Sequence, residues 1–186
     1  MSSPPLVSDP NNPLLPDSIF AGKYRVEKIL GQGGMGMVLA ARHLGLDEPV
    51  AIKVLLPAMM QVPGMVERFT REARSSAKIK NDHVVRVTDV DALPSGVPYM
   101  VMERLDGTDL SDLRKSLGPL PIPDAVRYLL ETCSAIGEAH AMGIIHRDLK
   151  PANLFLAQRR DGTTTIKVLD FGISKAMQSL GEQTVT

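Results

Sequence analysis

The chain has 186 residues, of which 44% are hydrophobic, and its 21 basic and 21 acidic side chains give a formal net charge of zero. This length and apolar content suit one ordinary domain, or part of a larger one, with a real core. The balanced charge argues against nucleic-acid binding as the main function. A single cysteine, Cys133, excludes an internal disulfide, and its apolar helical surroundings predict a buried structural thiol.

The first segment, residues 1–22, is rich in Pro, Ser and Asn and shows no apolar period, which predicts a disordered leader. Its start has neither the basic residues nor the apolar core of a signal peptide. No stretch has about eighteen uninterrupted apolar residues, so no membrane-spanning segment is expected. These features favour a cytoplasmic setting and leave open an anchor beyond residue 186.

A strand-like run that begins at Tyr24 leads into a glycine-rich segment. Its glycines let the backbone approach a polyphosphate closely, with amide N–H groups facing the oxygens. Taken alone, the spacing also fits a dinucleotide-binding turn, but such a turn opens a helix. Here a second strand follows, which favours a phosphate-binding hairpin. The hairpin residues expected at the ligand are Gly31, Gln32, Gly33, Gly34, Met35, Gly36 and Val38.

Lys53 ends an apolar strand-like run that includes Ala51, so its ammonium group needs an anionic partner. Apolar residues at helical spacing between Met65 and Ile79 predict a helix, and Glu72 lies beside its apolar stripe. The same helix carries other charged residues. The assignment of Glu72 as the partner therefore depends on the wider pattern described below.

A second predicted hairpin runs from an alternating strand, residues 84–90, to a strand that ends at Glu103. A long helix then opens at Pro123 and shows one apolar face at helical spacing. His140 on that face is interpreted as a packing residue rather than a metal ligand. The residues of this apolar face are Val126, Leu129, Leu130, Cys133, Ile136 and His140.

The segment 146–153, with the sequence His-Arg-Asp-Leu-Lys-Pro-Ala-Asn, follows this helix. It offers an acid in Asp148, a cation in Lys150 and an amide in Asn153. The combination suits phosphoryl transfer, because the acid can accept a hydroxyl proton and the cation can screen the moving group. The amide can bind a divalent metal ion.

The motif Asp170-Phe171-Gly172 follows a further short apolar strand. An acid at a strand end suits a carboxylate that binds Mg²⁺ in a cleft. The glycine-rich hairpin, strand lysine, helix glutamate, catalytic-type loop and this motif occur in one order. Together they resemble the bacterial Hanks-type protein kinases, and Lys150 matches the serine/threonine branch.

The resemblance implies an α+β, protein-kinase-like bilobal fold over residues 23–186. The N-lobe, about residues 23–104, would be complete and hold an antiparallel sheet and the family's helix αC. A partial, mostly helical C-lobe would occupy about residues 105–186 and end within the activation segment. We then expect the apolar face of the long helix to meet water and to invite partner binding.

The resemblance also implies a reaction, the transfer of the γ-phosphoryl of ATP to a Ser or Thr hydroxyl of a protein, with Mg²⁺. Lys53, held by Glu72, would position the α/β-phosphates. Asp148 would orient the hydroxyl and accept its proton, and Lys150 would steady the γ-phosphate. An alternative function is left open, in which the chain is an inactive ATP-binding fragment that acts as a regulatory module. The metal ligands would be Asn153 and Asp170.

Further residues are assigned to the nucleotide and to regulation by the same resemblance. Asp109 would bind the ribose, although Asp106 and Asp112 are close and raise the question of which acid caps a helix. Arg147 would pair with a phosphate on the activation segment, where Thr184 and Thr186 are the expected acceptors. The residues expected around adenine are Ala51, the gatekeeper Met102, the hinge residues Glu103 and Leu105, and Phe155.

Overall fold

The computed structural model describes residues 14–171, which begin with an antiparallel sheet of six strands. The strand order is β1-β2-β3-β4-β6-β5, so hairpins connect all neighbours except β4 and β6, between which two helices and β5 intervene. The strands are β1 (Ile19–Phe20), β2 (Tyr24–Gln32), β3 (Gly36–His43), β4 (Glu48–Leu55), β5 (Val87–Ala92) and β6 (Pro98–Glu103).

The alternation of side chains along these strands supplies two apolar clusters, one on each face of the sheet. Leu39 and Ile52, which are opposite each other in register, are fully buried in the first cluster. Phe20 and Tyr99 join this cluster through an edge-on ring contact with centroids 5.0 Å apart. Both faces of the sheet therefore exclude water.

Two helices, α1 (Pro57–Met60) and α2 (Met65–Ser76), follow β4. Helix α2 buries Met65, Phe69 and Ala73, which recur every four residues and so share one face. This face packs into the second cluster of the sheet. The predicted helix is confirmed, and it ends three residues before Ile79.

A second antiparallel sheet, of order β7-β8-β9, packs with two longer helices. Two backbone hydrogen bonds connect the segment before β5 to β9. Val168 N–H donates to the His83 carbonyl at 2.7 Å, and Val85 N–H donates to the Val168 carbonyl at 3.1 Å. The elements of this part are β7 (Gly107–Asp109), α3 (Leu110–Leu117), α4 (Ile122–Ala141), a 3₁₀ turn (Pro151–Asn153), β8 (Leu154–Gln158) and β9 (Thr164–Val168).

The prediction of a disordered leader through residue 22 is wrong for the end of that segment. Residues 1–13 lie outside those described, but Ile19–Phe20 form β1 and pair with β2. Phe20 is fully buried against Tyr99. A two-residue strand has no periodicity, so only tertiary packing reveals it.

Helix α4 has the predicted period, and its predicted apolar face meets water, as expected. Leu129 and Leu130 of the predicted face are 61% and 67% exposed. Cys133 and His140 are exposed as well, so the predicted buried thiol and packing histidine are wrong. Small side chains let the other face lie close to β9, where it joins the cluster of Ile166. The residues that α4 buries are Tyr128, Thr132, Ala135 and Ala139.

Candidate active site

The glycine-rich segment forms the β2–β3 hairpin, in which Gly33 N–H donates to the Gly36 carbonyl at 2.9 Å. A Cβ at Gly36 would lie 2.8 Å from the carbonyl oxygen of Val54, so only glycine fits there. A Cβ at Gly31 or Gly33 would meet nothing within 4 Å. The tip of the hairpin, residues 32–35, is thus flanked by open space, which backbone contacts to phosphate oxygens require.

Strand register places several predicted nucleotide contacts on one face of the six-stranded sheet. Val38 is opposite Lys53, and Ala51 is opposite Met102. Directly opposite residues share a face, as do residues two positions apart along a strand. Val38, Ala51 and Met102 also pack in one apolar cluster with Leu105. The sheet therefore presents an apolar patch beside an ammonium group, which suits a base next to its phosphates.

Lys53 connects this sheet to the second half of the molecule. Its Nζ lies 2.6 Å from Oδ1 of Asp170, and only 11% of the Lys53 side chain is exposed. Asp170 has φ 53°, a left-handed conformation that turns the chain just after β9. The predicted phosphate-binding cation and the predicted metal-binding acid are thus in direct contact.

Glu72, the predicted partner of Lys53, takes no part in this ion pair. Its Oε2 is buried and has no hydrogen-bond partner among residues 14–171. Burial raises the pKa of Glu72 to about 7, and nearby cations, of which Arg68 has the largest effect, oppose the shift. The predicted Lys53–Glu72 pair is not formed in this conformation, because Asp170 holds the lysine instead.

The loop at residues 146–153 is anchored by His146, a residue to which the sequence assigned no role. His146 is 3% exposed, and its ring centroid lies 4.8 Å from that of Phe171. Its Nε2 is 2.8 Å from the Leu169 carbonyl oxygen, and its Nδ1 accepts from Asp148 N–H at 3.3 Å. Both bonds fit the tautomer with hydrogen on Nε2. His146 therefore ties the loop to the segment that carries Asp170.

The carboxylate of Asp148 is oriented by two neighbours on the loop. Lys150 Nζ lies 2.8 Å from its Oδ2, and Asn153 Nδ2 donates to the same oxygen at 3.0 Å. Asn153 Nδ2 also lies 2.8 Å from the Asp148 carbonyl oxygen. The Asp148 side chain is 26% exposed, so an acceptor hydroxyl can reach it from the cleft.

Asn153 and Asp170 supply the atom types of a Mg²⁺ site. Leu169 N–H donates to the Asn153 carbonyl at 2.9 Å, which brings the two residues onto adjacent segments. Because Asn153 Nδ2 donates to Asp148, its side-chain oxygen is the atom left to ligate a metal ion. An amide oxygen and a carboxylate are ligands that Mg²⁺ prefers, completed by phosphate oxygens and water. The residues present therefore fit this ion.

The second sheet forms the other wall of the cleft. Phe155, which is half-buried, lies opposite Asp109 in the register of β7 and β8. At Gly107, φ is 141° and a Cβ would lie 2.1 Å from the Leu156 carbonyl oxygen. Glycine at this position lets the chain that crosses from β6 run against the strand that carries Phe155.

Comparison with known proteins decides the family. The protein kinase domain profile matches residues 24–186. The chain belongs to the protein kinase family. Serine/threonine-protein kinase Pkn1 of Myxococcus xanthus is 40% identical over 178 residues, which are 96% of this chain and 25% of Pkn1. Serine/threonine-protein kinase PknB of Mycobacterium tuberculosis is 38% identical over 167 residues, which are 88% of this chain and 26% of PknB.

The predicted kinase fold is confirmed by a solved structure. The kinase domain of Mycobacterium tuberculosis PknI matches with a TM-score of 0.74 and 32% identity, over 87% of this chain and 64% of that one. The six-stranded sheet with α1 and α2 is the kinase N-lobe, and β7–β9 with α3 and α4 belong to the C-lobe. The chain spans about a quarter of the length of the curated relatives above. Within residues 14–171, no helix is long and apolar enough to cross a membrane.

Asp109, the kinase residue expected at the ribose, also has a structural role. Its Oδ1 accepts from the backbone N–H groups of Ser111 and Asp112 at 2.9 and 3.0 Å, and so caps α3. The cap is therefore Asp109 rather than either of the neighbouring acids that the sequence suggested. The ribose contact stays a prediction, for a carboxylate with one oxygen already engaged.

Two polar contacts at strand β9 were not predicted. Glu131 of α4 accepts from Ile166 N–H at 2.6 Å, and Lys167 Nζ lies 2.8 Å from Oε1 of Glu103. Both flank β9, and the one available signal was a lysine inside the apolar run 166–169. Their partners lie far away in sequence, so spacing could not reveal them. Three predicted residues, Gly172, Thr184 and Thr186, lie outside the described residues.

Proposed function

We propose that this chain carries the phosphotransfer machinery of a protein serine/threonine kinase, which moves the γ-phosphoryl of ATP to a Ser or Thr hydroxyl of a protein. The observation that carries the proposal is the convergence of Lys53, Asp170, Asn153 and Asp148 on one cleft, through contacts of 2.6 to 3.0 Å. The relatives named serine/threonine-protein kinase support the same acceptor class. Because the reaction consumes ATP, we place it in the cytoplasm.

In this proposal Asp148 accepts the proton of the attacking hydroxyl. Lys150 and Asn153 orient its carboxylate, since both bond to the same oxygen. Lys150 then lies where a cation can balance charge on the transferred group. Mg²⁺ held by Asn153 and Asp170 would neutralise the phosphate oxygens.

In this proposal Lys53 turns from Asp170 toward the phosphates. Glu72 is the acid suited to hold it there, because its Oε2 has no partner in the described structure and Lys53 is among the cations that lower its pKa. The reactive arrangement thus pairs Lys53 with Glu72 and leaves Asp170 to the metal ion.

A phosphotransfer assay with Mg·ATP and a Ser/Thr protein substrate tests the proposal. Replacing Asp148 by Asn should lower the rate roughly 10²- to 10⁴-fold, because a proton acceptor is lost. Mg·ATP affinity, measured by calorimetry, should change little. Equal rates for the two chains would contradict the proposed role of Asp148.

A second function, a nucleotide-binding regulatory module, is favoured by the exposed apolar face of α4. Leu129 and Leu130 are 61% and 67% exposed on that face, which suits a protein partner. Mg·ATP binding without any transfer by the unmodified chain would support this function. Transfer that Asp148→Asn abolishes would exclude it.

We also propose that Thr184 and Thr186 accept phosphate from the kinase itself. The support is their position in the segment after Asp170, together with the exposed Arg147, whose guanidinium could pair with a phosphate there. Phosphopeptide mapping after incubation with Mg·ATP checks this. Phosphate found on neither threonine would remove the proposal.

A further inference from the structure

One carboxylate oxygen joins the two lobes behind the nucleotide cleft. Oε1 of Glu103 accepts from the Arg86 backbone N–H and from Lys167 Nζ, both at 2.8 Å. Glu103 N–H in turn donates to the Arg86 carbonyl at 2.9 Å. Glu103 is therefore fixed to the N-lobe through its backbone and its side chain, while Lys167 reaches it from β9 of the C-lobe.

Lys167 lies next to Phe155, one of the residues expected at the adenine ring. In the register of the second sheet, Asp109 is opposite Phe155 and Phe155 is opposite Lys167. Directly opposite residues project to the same face of an antiparallel sheet, so these three residues form one row. The strand that holds Phe155 is thus bonded edge to edge with the strand that holds Lys167.

We propose that Lys167 and Glu103 are positioning residues that fix the strand carrying Phe155 relative to the hinge, and hence the shape of the adenine site. The inference rests on the proposed function, because it needs adenine to bind beside the hinge and against Phe155. Glu103 begins the hinge segment, which continues to Leu105. Lys167 is opposite Phe155 on the neighbouring strand. Their ion pair thus links the hinge directly to the sheet that carries Phe155.

The surroundings of the pair support an ordering role. The side chains of Lys167 and Glu103 are only 16% and 23% exposed, so solvent screens their attraction weakly. The pair between Lys115 and Asp112 offers a matched contrast. It has nearly the same length, 2.7 Å, but its side chains are 74% and 61% exposed and both belong to α3. Such a pair orders nothing beyond its own helix.

Titration calorimetry with adenosine and with Mg·ATP tests the proposal on the whole chain. Lys167→Met should weaken the binding of both ligands by the same factor, about tenfold, because the adenine end is affected. Lys167→Arg should restore part of the affinity, and Lys115→Met should bind like the unmodified chain. Glu103→Gln keeps an acceptor for Arg86 N–H and should match Lys167→Met, and it carries the test if the methionine variant does not fold.

The outcomes separate the positioning role from the proposed function. If the unmodified chain binds Mg·ATP and both single variants bind it equally well, the positioning role is overturned and the kinase proposal stands. If Lys167→Met weakens Mg·ATP but not adenosine, the lysine acts on the phosphate end, which also overturns it. An unmodified chain that binds neither ligand would overturn both proposals. A double variant no weaker than each single variant would support the pair as one unit.

Discussion

The two lobes of this kinase chain differ in how their elements are held together. The N-lobe sheet buries apolar side chains on both faces, with Leu39, Ile52 and Phe20 fully buried on one of them. In the C-lobe, helix α4 buries small residues on one side and exposes Leu129 and Leu130 on another. The N-lobe sheet therefore has an apolar core on each face, whereas the long helix of the C-lobe is packed on one side and exposes leucines on another.

Hydrogen bonds compensate in part for the smaller apolar packing of α4. Glu131 accepts from the Ile166 backbone N–H at 2.6 Å, and Glu138 accepts from Lys80 N–H at 3.1 Å. Helix α4 is thus tied to β9 and to the loop before β5 by carboxylates that satisfy backbone donors. Such bonds are directional, so they fix the position of a helix that apolar packing covers on one side only.

The largest expected effect on stability follows from removing a buried ring from the N-lobe core. Phe20→Ala should lower the free energy of unfolding by about 3–5 kcal/mol, because a buried ring and its contact with Tyr99 are lost. Urea denaturation measures the change. The matched control is Ile19→Ala, since Ile19 is 45% exposed in the same strand. A small effect at Phe20 would mean that β1 is dispensable to the N-lobe.

A smaller loss is expected when a polar tie of the C-lobe is removed. Glu131→Ala leaves the Ile166 N–H without its acceptor and should lower the free energy of unfolding by about 1–3 kcal/mol. Asp112→Ala removes a carboxylate from an exposed ion pair and should change it by less than about 1 kcal/mol. Equal effects in chemical denaturation would show that the Glu131 contact contributes nothing special to the C-lobe.

The stability of the N-lobe is expected to depend on pH through the buried carboxyl group of Glu72. The pKa of Glu72 rises from 4.5 to about 7 on folding, so the folded chain binds this proton more tightly than the unfolded chain. The free energy of unfolding should therefore fall as pH rises from about 4.5 to about 7. Glu72→Gln should remove this decrease and be more stable at pH 8 by on the order of 1 kcal/mol, a value reduced for partial exposure. Parallel stability curves for the two chains would refute the assignment.

The smallest effect on stability is expected at the exposed face of α4. Leu130→Ser should change the free energy of unfolding by less than about 0.5 kcal/mol, because the side chain is largely in water. The same variant should reduce self-association at high concentration, measured by sedimentation, since the apolar surface is smaller. A large loss of stability would mean that this face packs against another part of the chain.

Sequence patterns predicted the elements whose signal is local. The strands around the glycine-rich hairpin, helix α2 and the period of α4 all follow from spacing of apolar residues. The predicted strand 84–90 shows the limit, because β5 begins only at Val87. Val84 and Val85 pair instead with Val168 of the other lobe, and an alternating run does not say which partner strand each residue meets.

The sequence likewise predicted some features of the candidate site and not others. Motif order predicted which residues would meet at the cleft, and the structure pairs Lys53 with Asp170 and Asn153 with Asp148. The motif order assigned Lys53 to Glu72, whereas in this structure Asp170 holds the lysine. That choice depends on distances between segments 117 residues apart and on the relative burial of the two carboxylates. Their chemical roles stay predictions until the variants above are measured.

If Lys53 and Asp170 act as proposed, their ion pair makes the binding of Mg·ATP partly an exchange of ions. Under the proposed function, Mg²⁺ meets a carboxylate whose Oδ1 already has an ammonium group at 2.6 Å, so the ion competes with Lys53 for that oxygen. The observed affinity then equals the intrinsic affinity reduced by the stability of that pair. In that exchange Mg·ATP would bring phosphates that give the lysine a new anion, which free Mg²⁺ would not.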